Sequence, residues 1–179
     1  WNDLCFNDDH AYTGELMDSA LDAHSFSWNA FSRVTDVEPG LLRRMKARGC
    51  DILLFGFEAV SQEILDAYNK GISAGDTLRA MEVTNAAGIK VGGLFIIGAP
   101  DETPASLERI IQFSREFKDV TRVKYLSALP GTPLYRQMVR EGVIADEVAH
   151  LNFLAREQSV EEDIELDGFL HMARDVSLE

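Results

Sequence analysis

The side chains able to do chemistry in this chain stand where apolar runs end. Leu4 to Asn7 leads into Asp8, Asp9 and His10; Phe26 to Val34 carries Arg33 near its end; Asp51 to Glu58 closes on one carboxylate; and Val91 to Ile97 gives way to Gly98-Ala99-Pro100-Asp101-Glu102-Thr103. Carboxylates so placed accept hydrogen bonds from hydroxyl or ammonium groups, act as acids and bases, or ligate a metal, and a guanidinium takes a carboxylate bidentately. Glu58 is the sharpest signal, because an isolated carboxylate closing the apolar string DILLFGFE needs a partner. For Asp8 and Asp9 a ligand role and an Asx turn before a helix both fit, and for Arg33 both a ligand role and an ion pair with Asp36. His10 reads as a surface histidine. No residue stands out as a catalytic nucleophile, acid or base.

These groups need a scaffold that brings strand ends together. Val91 to Ile97 is apolar on both alternations apart from Gly92 and Gly93, the pattern of a parallel strand covered on both sides. Thr103 then predicts an N-cap, with Pro104 at the first helical position. The same grammar recurs at Asp51 to Glu58, with Ser61 as the cap, and at Thr121 to Ala128, where Leu129-Pro130-Gly131-Thr132-Pro133 forces a loop. Thr13 is expected to cap the first helix, Pro39 to start one ending at Gly49, and Ser73 with Asp76 to form a capping box. Five strand candidates alternating with helices predict βαβ units, a parallel sheet, and a ligand site at the carboxyl ends of the strands.

At 179 residues the chain is about one domain. Seventeen basic against thirty acidic residues leave a net charge of −13, which repels phosphate backbones and anionic membranes, so nucleic acid and membrane are excluded as partners. Eleven of the acids lie from Glu141 onward, against Arg156 and Arg174. The expected division is therefore a barrel portion over residues 1–144 and an acidic helical or loop tail over 145–179, with the run Glu161 to Asp167 as a solvated loop. No apolar run reaches the roughly 20 residues of a bilayer span and no signal peptide is present, so a cytoplasmic location is expected. Cys5 and Cys50 read as small buried hydrophobes. Without an initiator Met, the chain reads as a piece of something longer.

The ordered strings FNDD, FSRV, a Pro-led helix ending RGC, LLFGFEAVSQEILDAYNKGI, GIKVGGLFIIGAPDET and SALPGTPLY resemble the radical S-adenosylmethionine (SAM) enzymes, above all the branch with an upstream cobalamin-binding domain. The resemblance covers roughly Leu4 to Ile144, and the patterns nearest to it include anaerobic oxidative cyclases of tetrapyrrole esters. It implies an α/β fold, a partial (β/α) barrel of the radical SAM type comprising strands two to six with outer helices. It implies the cofactors as well: SAM and a 4Fe-4S cluster held by a CxxxCxxC loop, from which reductive cleavage yields a 5′-deoxyadenosyl radical, with cobalamin from an upstream domain. The sequence has no CxxxCxxC, so the isolated segment is expected to hold no metal and to be inactive. Carried over by position, Asp8 and Asp9 approach the methionine end of SAM, Arg33 its carboxylate and Glu58 the ribose hydroxyls. Ile97, with Ile96, and Gly98 meet the adenine, and Pro130 lines the mouth. The family usually has glycine where Ala99 and Asp101 stand, a departure that bears on backbone contacts.

The expected activity is that of the parent enzyme: methyl transfer, cyclisation or rearrangement of a small-molecule substrate, including tetrapyrroles. Two rivals remain open. One is an ordinary metabolic barrel using Asp8, Asp9 and Glu58 as acid–base or metal-ligand carboxylates; the other is a degenerate barrel acting as a binding or scaffold module. Loss of the first strand would leave Leu4 to Asn7 with an open edge, from which self-association is expected.

Overall fold

The computed structural model describes residues 6, 9–19, 26–99, 102–116 and 120–159. Four parallel strands, β1 (Trp28–Ser32), β2 (Cys50–Glu58), β3 (Lys90–Ile97) and β4 (Val120–Tyr125), lie side by side in chain order. Between them run α2 (Pro39–Ala47), α3 (Gln62–Ala67) with α4 (Ala74–Ala86), and α5 (Pro104–Glu116); α1 (His10–Ser19) precedes β1, and α6 (Pro133–Arg140) and α7 (Glu147–Ser159) follow β4. An order that never reverses, with crossovers of one hand, puts the crossover helices on one face and, among the described residues, leaves the other open. That is an arc of a β/α barrel, as the sequence implies.

The helix-covered face is packed with aromatic rings. Phe55 and Phe57 stack at 5.7 Å and 7°, while Phe113 of α5 meets Phe57 and Phe95 edge-on at 6.1 and 5.8 Å. Burying a phenylalanine of this kind contributes about 2–3 kcal/mol. Phe57 also explains one half of the Gly92-Gly93 pair. A Cβ on Gly93 would lie 2.9 Å from Phe57 Cδ2, and one on Gly92 2.4 Å from Leu54 Cδ2. Successive strand residues face opposite sides, so Gly93 makes room for a core ring and Gly92 for Leu54 on the open face.

Helix signals translate unevenly. Ser73 and Asp76 form the capping box that opens α4, Thr103 Oγ1 accepts from Ser106 N at the start of α5, and Thr132 caps α6. Thr13 does not cap α1. It lies inside the helix, buried, with Oγ1 donating to Phe6 O at 2.9 Å, and Asp9 takes the capping place through Tyr12 N to Asp9 Oδ1 at 2.9 Å. Ser61 precedes α3 without capping it; its hydroxyl goes to the Glu63 carboxylate instead. The expected strand Leu4 to Asn7 falls outside the described residues except for Phe6, whose N–H donates to Phe31 O at 2.9 Å and whose ring lies 5.0 Å from Trp28. The acidic run Glu161 to Asp167 is outside them entirely. The segment from residue 145 is in part tied down: His150 of α7 bonds Ala128 O at 2.8 Å, and Tyr135 of α6 donates to Glu147.

Candidate functional site at the carboxyl ends of the strands

Glu58 occupies the most constrained backbone position of the rim. The register between β2 and β3 slips between Gly56 and Glu58, leaving Phe57 as an extra residue in a bulge. Immediately after it, Ala59 N donates to Phe57 O at 2.7 Å, closing a three-residue turn centred on Glu58 at φ +64°. A non-glycine residue there is strained, and such strain collects at functional sites. The turn throws the carboxylate back over the sheet, where a Cβ on Gly56 would meet Glu58 Oε1 at 2.8 Å.

The stretch that follows α3 secures this carboxylate. Asn69 at φ +52° and Gly71 at φ +63° reverse the chain, with Lys70 N bonding Leu65 O at 3.2 Å, so that two side chains return to the rim. Lys70 Nζ meets Glu58 Oε1 at 2.8 Å, and Tyr68 Oη donates to Ile96 O at 3.3 Å. Burial pushes the Tyr68 phenol up to about 12, with the Glu102 and Glu58 carboxylates adding to the shift. Tyr68 is therefore a neutral hydrogen-bond donor that clamps the end of β3 to α3.

At the end of β3, Gly98 adopts φ +89°, and its N–H donates to the Glu102 carboxylate. A Cβ on Gly98 would meet nothing closer than Tyr125 Cδ1 at 3.8 Å, so the glycine is needed for its backbone angle and leaves the surface above it open. Burial raises the Glu102 carboxyl, opposed by the amides of Gly98 and Ala99, and its Oε1 is buried without a partner. Ile96 stands on the open face, partly exposed, whereas Ile97 is buried with the helix-side core. Pro100 and Asp101 lie outside the described residues. After β4, Pro130 is exposed in a turn closed by Thr132 Oγ1 on Leu129 O at 2.7 Å.

The structure thus gathers Glu58, Gly98 and Glu102 around Tyr68 and Lys70. Arg33 is engaged with Asp36 at 3.8 Å, the ion-pair alternative; Asp9 is spent on capping, and Asp8 is outside the described residues. Sequence reasoning passed over Lys70 and Tyr68, and it placed Glu102 at the rim without a role. The signal for Lys70 was the Asn69-Lys70-Gly71 turn directly behind a helix.

Comparison with known families decides what this rim belongs to. The family described as the Radical SAM superfamily matches residues 8–114. The chain is a member of the radical SAM superfamily. Among curated relatives, it is 32% identical over 119 residues to an uncharacterized methyltransferase of Pyrococcus horikoshii, covering 66% of this chain and 26% of that protein. It is 28% identical over 130 residues to the anaerobic magnesium-protoporphyrin IX monomethyl ester cyclase of Cereibacter sphaeroides, covering 71% and 21%. The chain therefore spans about a quarter of the length of these relatives. The fold is shared with the radical SAM methyltransferase TsrM of Kitasatospora setae at TM-score 0.63 and 18% identity, over 76% of this chain and 29% of that one.

Radical SAM enzymes use SAM and a 4Fe-4S cluster, and the rim fits the two parts of that cofactor set differently. Glu58 offers carboxylate oxygens to hydroxyls, Gly98 an approachable backbone, and Glu102 an orphaned buried acceptor, a donor-poor set suited to the hydroxyls and amine of a nucleoside. Among the described residues no set of cluster ligands is present. Cys50 is buried, with burial raising its thiol to about 12, where a cluster needs thiolates, and among the described residues no three His, Cys, Asp or Glu side chains converge.

Proposed function

We propose that this segment forms the SAM nucleoside-binding wall of a radical SAM enzyme that carries out methyl transfer, cyclisation or rearrangement on a small molecule. Cluster ligands and any cobalamin would come from other parts of the parent protein, and the segment alone is inactive. The observation that carries this reading is Glu58, a carboxylate on a strained turn at the rim, aimed over the open face and restrained by Lys70. Glu58 accepts the ribose hydroxyls, while Ile96 and the Gly98 backbone border the adenine. SAM held here against a cluster from elsewhere in the parent would supply radical chemistry. The chain's own part is to hold the nucleoside in one orientation and to keep it within reach of substrate on the open face.

The test is calorimetric titration of SAM into the cluster-reconstituted full-length parent. Wild-type protein binds SAM, and Glu58→Ala binds it at least tenfold more weakly, with its circular dichroism unchanged. Absence of binding by the wild type, or equal binding by Glu58→Ala, overturns the reading.

A further inference from the structure

The segment after β4 links the rim to the last described helix. Leu126 N–H donates to Ile97 O at 2.7 Å, immediately before the Gly98 turn. Burial then alternates: Leu126 is partly buried, Ser127 exposed, Ala128 buried and Leu129 exposed. The two inward residues serve different clusters. Leu126 packs on Ala59, Ile64, Leu65 and Ala99, a group that contains the residues directly following Glu58 and Gly98. Ala128 belongs to a second group with Tyr135 of α6 and Ile144.

Ala128 is held from α7. Beyond Tyr125 no strand pairs with this segment among the described residues, and a buried carbonyl needs a partner. His150 Nε2 lies 2.8 Å from Ala128 O, across 22 residues of chain, and because a carbonyl only accepts, the imidazole N–H donates. The imidazole also meets the Tyr135 ring at 5.8 Å and 47°, and Tyr135 Oη donates to Glu147 one turn earlier on α7. Asp146 fixes where α7 starts, its Oδ1 accepting from Val148 N and Ala149 N at 2.9 and 3.0 Å and its carbonyl from His150 N at 3.0 Å. The imidazole therefore stands at a definite height against the end of β4.

We propose that His150 is a positioning residue for SAM binding: through Ala128 O it fixes residues 126–129, and through Leu126 it steadies the turns that carry Glu58 and Gly98. The inference rests on the SAM-binding reading above and adds α7 to the parts on which that reading depends. His150 acts through Ala128 and Leu126 and not by contact with SAM. With an apolar residue in its place, Ala128 O loses its donor, the segment moves to reach water, and the group under Leu126 loosens. A packing role alone has the opposite consequence, since leucine would then serve as well as histidine, and glutamine no better.

The variants are His150→Leu, which keeps bulk against Tyr135 without a donor, and His150→Gln, whose amide reaches the same carbonyl. Both are made in the full-length parent with its cluster reconstituted. SAM is titrated by calorimetry, and hydrogen exchange is followed in peptides spanning Leu126 without SAM. In His150→Leu, SAM binds about fivefold to tenfold more weakly and the Leu126 amide exchanges about tenfold faster. The KM for SAM rises while the rate at saturating SAM stays within about twofold. His150→Gln returns affinity and exchange to within about twofold of wild type. Unchanged SAM affinity in His150→Leu overturns the proposal, as does a glutamine variant as weak as the leucine one. If His150→Leu does not fold, the wild type decides: SAM slows exchange at Leu126 and in α7 together, and protection that stops short of α7 overturns the proposal. A wild type that binds no SAM overturns the SAM-binding reading and this proposal with it. Binding that Glu58→Ala weakens and His150→Leu leaves intact overturns this proposal alone.

Discussion

Replacing Lys70 by Met tests whether the rim carboxylate is held for a purpose. At 2.8 Å and an effective dielectric of 20, the Lys70–Glu58 attraction is about 6 kcal/mol before desolvation. Much of that is offset by dehydrating Glu58, whose side chain is 15% exposed, and by screening at Lys70, which is 40% exposed. The pair therefore falls between an exposed bridge and a buried one, leaving a net of about 1–2 kcal/mol. If that energy restrains the carboxylate that receives the ribose, its loss weakens SAM binding by about tenfold, at 1.4 kcal/mol per decade. The assay is SAM affinity of the reconstituted full-length parent, together with SAM cleavage at saturating SAM. The KM for SAM rises while the saturated rate holds, because the substitution touches positioning and not chemistry. Lys70→Arg, which keeps the charge and a hydrogen bond, recovers most of the loss. Unchanged affinity in Lys70→Met refutes the positioning role. Tighter binding would show that Lys70 competes with the ribose for Glu58, which refutes it more strongly.

Two further outcomes are expected. Gly93→Ala, whose Cβ would stand 2.9 Å from Phe57 Cδ2 and 3.0 Å from Phe95 Cε2, overpacks the aromatic core and costs about 1–3 kcal/mol in urea unfolding; a neutral substitution would contradict the packing. Glu102→Gln reports pH linkage: burial raises the folded carboxyl above its unfolded value, so the native state holds the proton longer and wild-type stability falls as pH rises through that window. The stability of Glu102→Gln relative to wild type therefore improves from pH 4 to pH 7, and a difference independent of pH across denaturation curves counts against a buried, raised carboxyl.

What the sequence made legible was mostly local or periodic. The alternation of buried strands with helices was readable because each strand is an apolar run bounded by turn residues, and Ser73 with Asp76 or Thr103 with Pro104 are signals spanning four residues or fewer. Strand ends were less so: Phe26 to Val34 contracts to Trp28–Ser32, and Thr121 to Ala128 moves to Val120–Tyr125, since Trp28 pairs with Cys50 where β2 begins and Tyr125 with Ile97 where β3 ends, limits that are set by a partner distant in sequence. Thr13 misled for a related reason. Its hydroxyl found Phe6 O, seven residues away, a partner no capping pattern includes. At the site, Glu58 was legible as a lone carboxylate closing an apolar strand. Lys70 was not, since its meeting with Glu58 requires α3 to end in a left-handed turn that sends the chain back over β2.

The arrangement also explains why the rim can carry strain. A sheet wound in one direction brings every strand end to the same edge, so a single bulge at Phe57 re-aims Glu58 without disturbing the aromatic core below it. That core contributes several kcal/mol through Phe55, Phe57, Phe95 and Phe113, against about 1–3 kcal/mol for one left-handed glutamate. The stabilising face and the open face are thus separate sides of the same strands. Substitutions at Gly93 report on folding, and those at Glu58 and Lys70 on SAM. If the two sets of effects proved inseparable, the division of the sheet into core face and rim would be wrong.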